Sequence, residues 1–392
     1  MSNWRLIQQV VVVTIVIVLL VGCGAPATLL PAEPPIPTPA PAFTPTPEPV
    51  PTSIPSLFPI VQYDKAGDIE AGYIDVSGQI VIQLQFDDAA SFSEGLAAVR
   101  AGSLWGYIDA TGTMVIQPKF DEARPFSEGL AAVRTGTLWG YIDATGAAVI
   151  QPLFKTASSF TGGRARISME ESFGYIDPTG EVVIAPDYGD APDFSEGVAS
   201  VMKCTSQKPC SITSFTFSGF TFTNMTGGEW SYIDQAGDSA MSPTFDGAKS
   251  FSGGLAPAKI GESWGYIDKT GAMVIQPQFE DAHVFSEELS AVRIDKIWGY
   301  IDRTGTLVIP PQFEWASDFS EGLAAVTIGE EHGYVDKTGA IVIRLKCNYA
   351  EDFSEGLAKV WLEDENGKNT MAYINEKGEY IWKASTSTGA TP

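Results

Sequence analysis

The sequence predicts an all-β repeat protein: about nine units of 34 residues forming an open, gently superhelical β-hairpin solenoid, with a β-propeller as the alternative. Two observations carry that prediction. The tetrapeptide Gly-Tyr-Ile-Asp begins at residues 72, 106, 140, 174, 265 and 299, with variants at 231, 333 and 372, so the steps are 34, 34, 34, 57, 34, 34, 34 and 39. A fixed period of this size marks one supersecondary unit that buries its apolar face only against its neighbours. Within the unit, apolar residues alternate over short runs punctuated by Gly and Pro, which gives about three short strands and leaves no room for a long helix.

Composition narrows the function before any motif does. Of 392 residues, 48 are acidic and 24 basic, a net charge of -24. No basic cluster overrides that repulsion, which excludes nucleic acid as a partner. With two His and four Cys, neither a His-rich nor a Cys-rich metal site is expected, and no cofactor is implied.

Residues 1–22 have the form of an export signal. One charge, Arg5, precedes an apolar run from Val10 to Val21, which is short of the roughly 20 residues a spanning helix needs. Leu20-Val21-Gly22-Cys23 resembles the lipobox of bacterial lipoproteins, and the resemblance implies that Cys23 becomes the lipidated first residue of the mature chain. Acyl chains such as palmitate on Cys23 would hold the protein to the membrane, each buried methylene adding about 0.8 kcal/mol. The expected location is therefore extracytoplasmic, on the cell membrane or envelope surface. Residues 23–59 form a proline- and threonine-rich stalk: 13 of the 26 prolines fall between residues 24 and 59. Such a segment stays extended and acts as a spacer.

The repeat array is expected over residues 60–383, and residues 384–392 as a disordered tail. In Trp105-Gly106-Tyr107-Ile108-Asp109 the alternation places Trp, Tyr and Asp on one face of a strand. Asp109-Ala110-Thr111-Gly112 has the residues of a type I turn ending in Gly. The strand that follows, from Met114, ends at Pro118, and a third runs from Leu130 to Arg134. The intervening crossover carries two aromatic positions. One is Phe92, Phe126, Phe160, Phe194, Phe251, Phe285, Phe319 and Phe353; the other is Phe in most units and Cys347 in the last. That placement makes Cys347 a core residue.

The unit resembles the bacterial WG repeat, named for its Trp-Gly pair, over essentially all of residues 60–383. The resemblance implies repeated β-structure in extracytoplasmic or multidomain bacterial proteins and no established activity. The Trp position holds Trp105, Trp139, Trp230, Trp264 and Trp298 but also Ala71, Phe173, His332 and Met371, a tolerance that suits packing rather than one chemistry. The ends favour the open array: Pro59 to Tyr63 supplies the strand before Tyr73 and the last unit stops at Trp382, so neither end lacks a strand that the other would donate.

No enzyme is expected. The repeated Asp is explained by its turn, and Asp268-Lys269-Thr270-Gly271 is that turn rather than an ion-pump phosphorylation motif. The recurrent glutamates Glu94, Glu128, Glu196, Glu287, Glu321 and Glu355 have the character of a repeated surface edge, and His283 of an exposed crossover residue. The step of 57 locates an insertion at residues 202–229. Cys204 and Cys210 can close a disulfide there, and Phe215, Phe217, Phe220 and Phe222 fall on one face of a hairpin about Ser218-Gly219. This is a candidate binding surface, since insertions in repeat proteins map to the binding face. The reading is a non-catalytic protein-binding scaffold; glycan or cell-wall binding and a passive envelope spacer are the alternatives.

Overall fold

A computed structural model describes residues 56–63, 68–205, 210–217, 220–329, 331–363, 367 and 369–384, with backbone alone at 210–217 and 220–226. The expected signal peptide, Cys23, nearly all of the stalk and residues 385–392 of the tail lie outside them. No helix among the described residues is long and apolar enough to cross a membrane.

Every unit becomes one antiparallel sheet. Seven sheets have four strands, spanning 88–120, 122–154, 156–188, 247–279, 281–313, 315–345 and 349–383. The first sheet, 58–86, has three strands, starting at Phe58, inside the span read as stalk. In the fifth, Val198–Lys203 pairs with Glu229–Asp234, and single bridges Asp190 to Met202 and Trp230 to Phe245 extend it on both sides. The fourth strand, unforeseen from sequence, is two residues of the crossover: Asp88 and Ala89 pair with Arg100 and Val99. It was hidden because two residues carry no periodicity.

The sheets close into a ring, a β-propeller, which corrects the expected open solenoid. At each regular interface the buried tyrosine donates its hydroxyl to the next sheet's crossover: Tyr107 to the Arg124 carbonyl at 2.7 Å, Tyr300 to Ser317 at 2.8 Å. The same tyrosine meets the next crossover Phe, as in Tyr107–Phe126 with ring centroids 4.9 Å apart. The turn glycine of each unit also sits on the preceding sheet: a Cβ on Gly146 would lie 3.0 Å from Ile116, and one on Gly378 2.9 Å from Ile343.

The last sheet treats the first as its next neighbour. Tyr373 donates to the Pro59 carbonyl at 2.9 Å, and its ring lies 5.6 Å from Phe58. The Gly78 turn abuts the Ile381 backbone. Phe58, Ile60, Ile74, Leu357, Met371 and Tyr373 form one buried cluster. The ends indeed exchange no strand, but closure does not need exchange, because face-to-face packing between first and last sheets repeats the contacts of the other interfaces. Eight tyrosines from Tyr73 to Tyr334 are the largest fully buried side chains, and burial raises their hydroxyls far above the ordinary value.

Candidate functional site

The repeated polar residues are committed to the fold's own backbone. Asp109 Oδ1 accepts from the N–H groups of Thr111 and Thr113 at 2.9 and 3.0 Å and from the Thr111 hydroxyl at 2.6 Å. This bonding recurs at Asp75, Asp143, Asp177, Asp268, Asp302 and Asp336 and lowers each carboxyl's pKa, the largest contribution at Asp109 being the Thr111 hydroxyl. A second set of acids holds the strand links: Asp87 and Asp121 accept from the N–H groups of Gly102 and Gly136, both at 2.6 Å.

The recurrent glutamates do more than line an edge. Glu94 accepts from the backbone N–H groups of Glu128 and Gly129 in the next sheet at 2.8 and 3.0 Å. Glu128 does the same to Gly162 and Gly163, and Glu321 to Glu355 and Gly356. Beside each, a serine hydroxyl spans the interface, Ser93 to the Phe126 carbonyl at 2.7 Å. Each glutamate sits at φ between 48° and 55°, a left-handed conformation that costs a non-glycine residue about 1–2 kcal/mol. Glycine would relieve that strain but lose the clasp. Where glycine does stand, other groups span the gap: Arg164 and Gln235 at Gly162–Gly163, and Arg303 at Gly253. The sequence signal for this clasp is the strict pairing of Ser-Glu-Gly with the period.

The tryptophans are covered. Trp139 and Trp298 are each only 6% exposed, while Trp105, Trp230 and Trp264 are half-buried. Arg124 lies over Trp139 at 5.0 Å, Lys249 over Trp264 at 5.0 Å and Arg293 over Trp298 at 5.7 Å. An exposed aromatic pair does exist elsewhere, Trp315 with Tyr349, centroids 6.3 Å apart. His283 is half-buried rather than solvent-facing: its Nδ1 is 2.9 Å from Asp318 and its ring lies against Trp298. Asp352 follows one sheet on, its carboxyl pushed up by desolvation and by Asp318 and Glu351. Cys347 is buried, which drives its thiol up to about 11.

The insertion forms its own two-stranded sheet, Cys210–Phe217 with Phe220–Gly227. The register pairs Phe215 with Phe222 and Phe217 with Phe220, the alignment expected for one face, although the side chains of these four lie outside the description. Cys204 is disulfide-bonded, and the side chain of its expected partner Cys210 is likewise outside. The inter-sheet clasp reaches past the insertion: Ser195 donates to the Phe251 carbonyl at 2.7 Å and Gly254 N–H donates to Glu196 at 3.1 Å.

Among the described residues the seam of the ring differs from the regular interfaces. At the seam between last and first sheets, two cavities of about 350 and about 320 Å³ flank the strand Phe58–Tyr63, and both are lined by Pro59 and Lys359. The first also exposes Phe92, Glu94, Glu355 and Tyr373, and the second Val61, Asp88, Trp361 and Met371. Sequence reasoning missed this site because it is made by closure.

Comparison with known proteins bears on the family. Among solved structures, the chain is similar to the dihydro-heme d1 dehydrogenase NirN in complex with DHE, with a TM-score of 0.43 and 11% identity over 87% of this chain and 75% of that one. It is also similar to a protein of unknown function from Bacteroides caccae, with a TM-score of 0.26 and 14% identity over 64% of this chain and 90% of that one. No curated protein matches it. The WG containing repeat matches eight times, at residues 72–105, 105–136, 139–171, 173–203, 230–263, 264–296, 298–331 and 333–361, so the chain belongs to the family of proteins built from the WG containing repeat.

Proposed function

We propose that the protein is a lipid-anchored component of the bacterial cell envelope whose β-propeller serves as a non-catalytic scaffold for binding other proteins. The observation that carries this reading is the insertion. The ring's clasps reach across it from Ser195 and Glu196, so its residues are surplus to closure and are available as a contact surface. The repeated Asp, Glu, Ser and Tyr side chains are spent on backbone partners, which disfavours a repeated reactive site.

Deleting residues 205–227 tests it, with cross-linking on intact cells and mass spectrometry as the readout. The expected result is an unchanged melting temperature and loss of the captured partners; a large drop in melting with capture intact in the folded fraction assigns the hairpin to packing. Anchoring is tested separately: Cys23→Ala releases the protein from the membrane fraction and abolishes labelling by palmitate. Glycan binding is supported by the exposed Trp315–Tyr349 pair, whereas Trp139, Trp264 and Trp298 carry cations on their faces and Trp105 and Trp230 are half-buried. Retention on envelope polysaccharide that Trp315→Ala eliminates would favour it.

A further inference from the structure

We propose that the exposed Trp315–Tyr349 pair seats a cationic side chain, arginine or lysine, presented by a partner protein. The inference rests on the scaffold reading and deepens it, naming the partner's chemistry at a surface remote in sequence from the insertion.

The seat is defined by what other sheets hold in the same place. Trp315 and Tyr349 each begin the two-residue strand of their sheet. In the second, third and seventh sheets that place holds an acid, Asp88, Glu122 and Asp281, directly opposite Arg100, Arg134 and Arg293. Arg134 bonds Glu122 at 2.6 Å, and Arg100 is 3.9 Å from Asp88. The last two sheets replace the acid by an aromatic ring and the arginine by Thr327 and Trp361. Neither ring fills a core: Trp315 is 36% exposed and Tyr349 48%, and their centroids are 6.3 Å apart. Two large aromatics left in water at equivalent places of adjacent sheets mark a contact surface rather than packing.

Charge names the occupant. The chain covers several of its other rings with its own cations: Arg166 lies 5.1 Å over Phe173, Lys203 5.0 Å over Tyr188, and Lys383 4.8 Å over Tyr380, which is 47% exposed. Among the described residues no Lys or Arg lies over Trp315 or Tyr349. His332, paired with Thr327, supplies no charge near neutral pH because burial lowers its pKa. The surroundings are negative: after burial, the charges of Glu351 and Asp352 push the Tyr349 hydroxyl up. A ring face attracts a cation through its quadrupole, and nearby carboxylates add to the attraction. On a chain of net charge -24, a partner's base is the complement.

The test uses the full chain and two fluorescent, end-blocked peptides read by anisotropy: alternating Arg and Gly, and the same peptide with every Arg replaced by neutral citrulline. The Arg–Gly peptide binds, and the citrulline peptide binds at least about tenfold more weakly. Trp315→Ala weakens the Arg–Gly peptide by about three- to tenfold. Thr327→Arg keeps both rings and suits the fold, since arginine stands opposite the two-residue strand in three other sheets. It supplies the cation from within the chain and weakens the peptide by about tenfold. Gln117→Arg, exposed in the second sheet and adding the same charge, leaves peptide binding unchanged. Equal binding of the citrulline peptide, equal effects of the two arginine variants, or no binding of the Arg–Gly peptide overturns the proposal. So does a Trp315→Ala protein that loses retention on envelope polysaccharide but keeps full Arg–Gly binding, which would assign the rings to a glycan. Deletion of 205–227 leaves probe binding intact, so failure of the scaffold reading at the hairpin and failure at the aromatic pair are told apart.

Discussion

The interface between the second and third sheets and the seam between the last and first share an aromatic pair and its tyrosine hydrogen bond and differ in their loop clasps. Both bury a tyrosine against a phenylalanine, Tyr107 on Phe126 at 4.9 Å and Tyr373 on Phe58 at 5.6 Å. Both donate the tyrosine hydroxyl to a backbone carbonyl across the gap, at 2.7 and 2.9 Å. The regular interface adds the Ser93 and Glu94 clasps, and among the described residues the seam has neither counterpart. The difference teaches that the ring closes on the aromatic pair and its tyrosine hydrogen bond, without the loop clasps. The clasps fix loop conformation and register at the regular interfaces, and two cavities stand at the seam, where the described residues show no clasp.

The largest effects come from removing the shared contact. Phe126→Ala and Phe58→Ala each lower unfolding free energy by about 3–5 kcal/mol in urea denaturation, as for other buried aromatics. Phe58→Ala also enlarges the native particle by small-angle scattering, because it loosens an interface not joined by continuous chain. A cost below about 1 kcal/mol at Phe58 would show that the seam contributes little to closure. Next in size is a pair of glycines. Gly78 and Gly95 have φ of +84° and +81°, so alanine strains both backbones, but Gly78 abuts the Ile381 backbone while Gly95 has open space. Gly78→Ala is therefore expected to cost about 1–3 kcal/mol more than Gly95→Ala. Equal costs would mean the Gly78 turn does not support the seam.

A smaller effect isolates the polar difference. Glu94→Gln keeps the left-handed backbone but weakens two acceptor bonds, a loss of about 1 kcal/mol. Glu355→Gln, with no next loop to hold among the described residues, leaves the urea midpoint where it is. If the two substitutions cost the same, the clasp is worth nothing beyond the backbone turn.

Much of this was legible in the sequence, and the limits follow from its physics. The period, the Asp turns, the core Phe positions and the burial of Cys347 could be read because each is local and repeated nine or eight times along the chain. Closure could not. It depends on whether the small rotation per sheet sums to a full turn, and no residue reports that sum. The two-residue fourth strand lacked a period, and the clasp glutamates gave a visible pattern whose partners lie 34 residues away. His283 was misplaced for a similar reason: its partners Asp318 and Trp298 belong to neighbouring segments of the ring. The seam cavity was the least legible, since its walls come from residues 56–59 and 91–95, from Glu351 to Lys359 and from Tyr373.

The subtlest contrast is in how acid acts on two carboxylates. Asp109, bonded within its turn by the Thr111 hydroxyl, has a folded pKa below the unfolded value near 3.9. Its stabilisation is present above that value and is lost as pH falls through the folded one. Asp352 at the seam is the reverse. Desolvation, then Asp318 and Glu351, raise its pKa, opposed by the Ser317 hydroxyl and His283. Its contribution is therefore favourable below about 3.9 and is lost as pH rises through the raised value. At pH 7 Asp109→Asn should destabilise the protein, and Asp352→Asn should stabilise it by up to about 0.5 kcal/mol, discounted for partial exposure. As pH falls through the folded value of Asp109 the Asp109→Asn difference shrinks, and the advantage of Asp352→Asn is lost as pH falls through the raised value of Asp352. Urea midpoints for the three proteins across that range decide the matter: a destabilised Asp352→Asn at pH 7 would show that the Ser317 and His283 contacts outweigh the crowding of acids, and that the seam tolerates its negative charge without a basic partner.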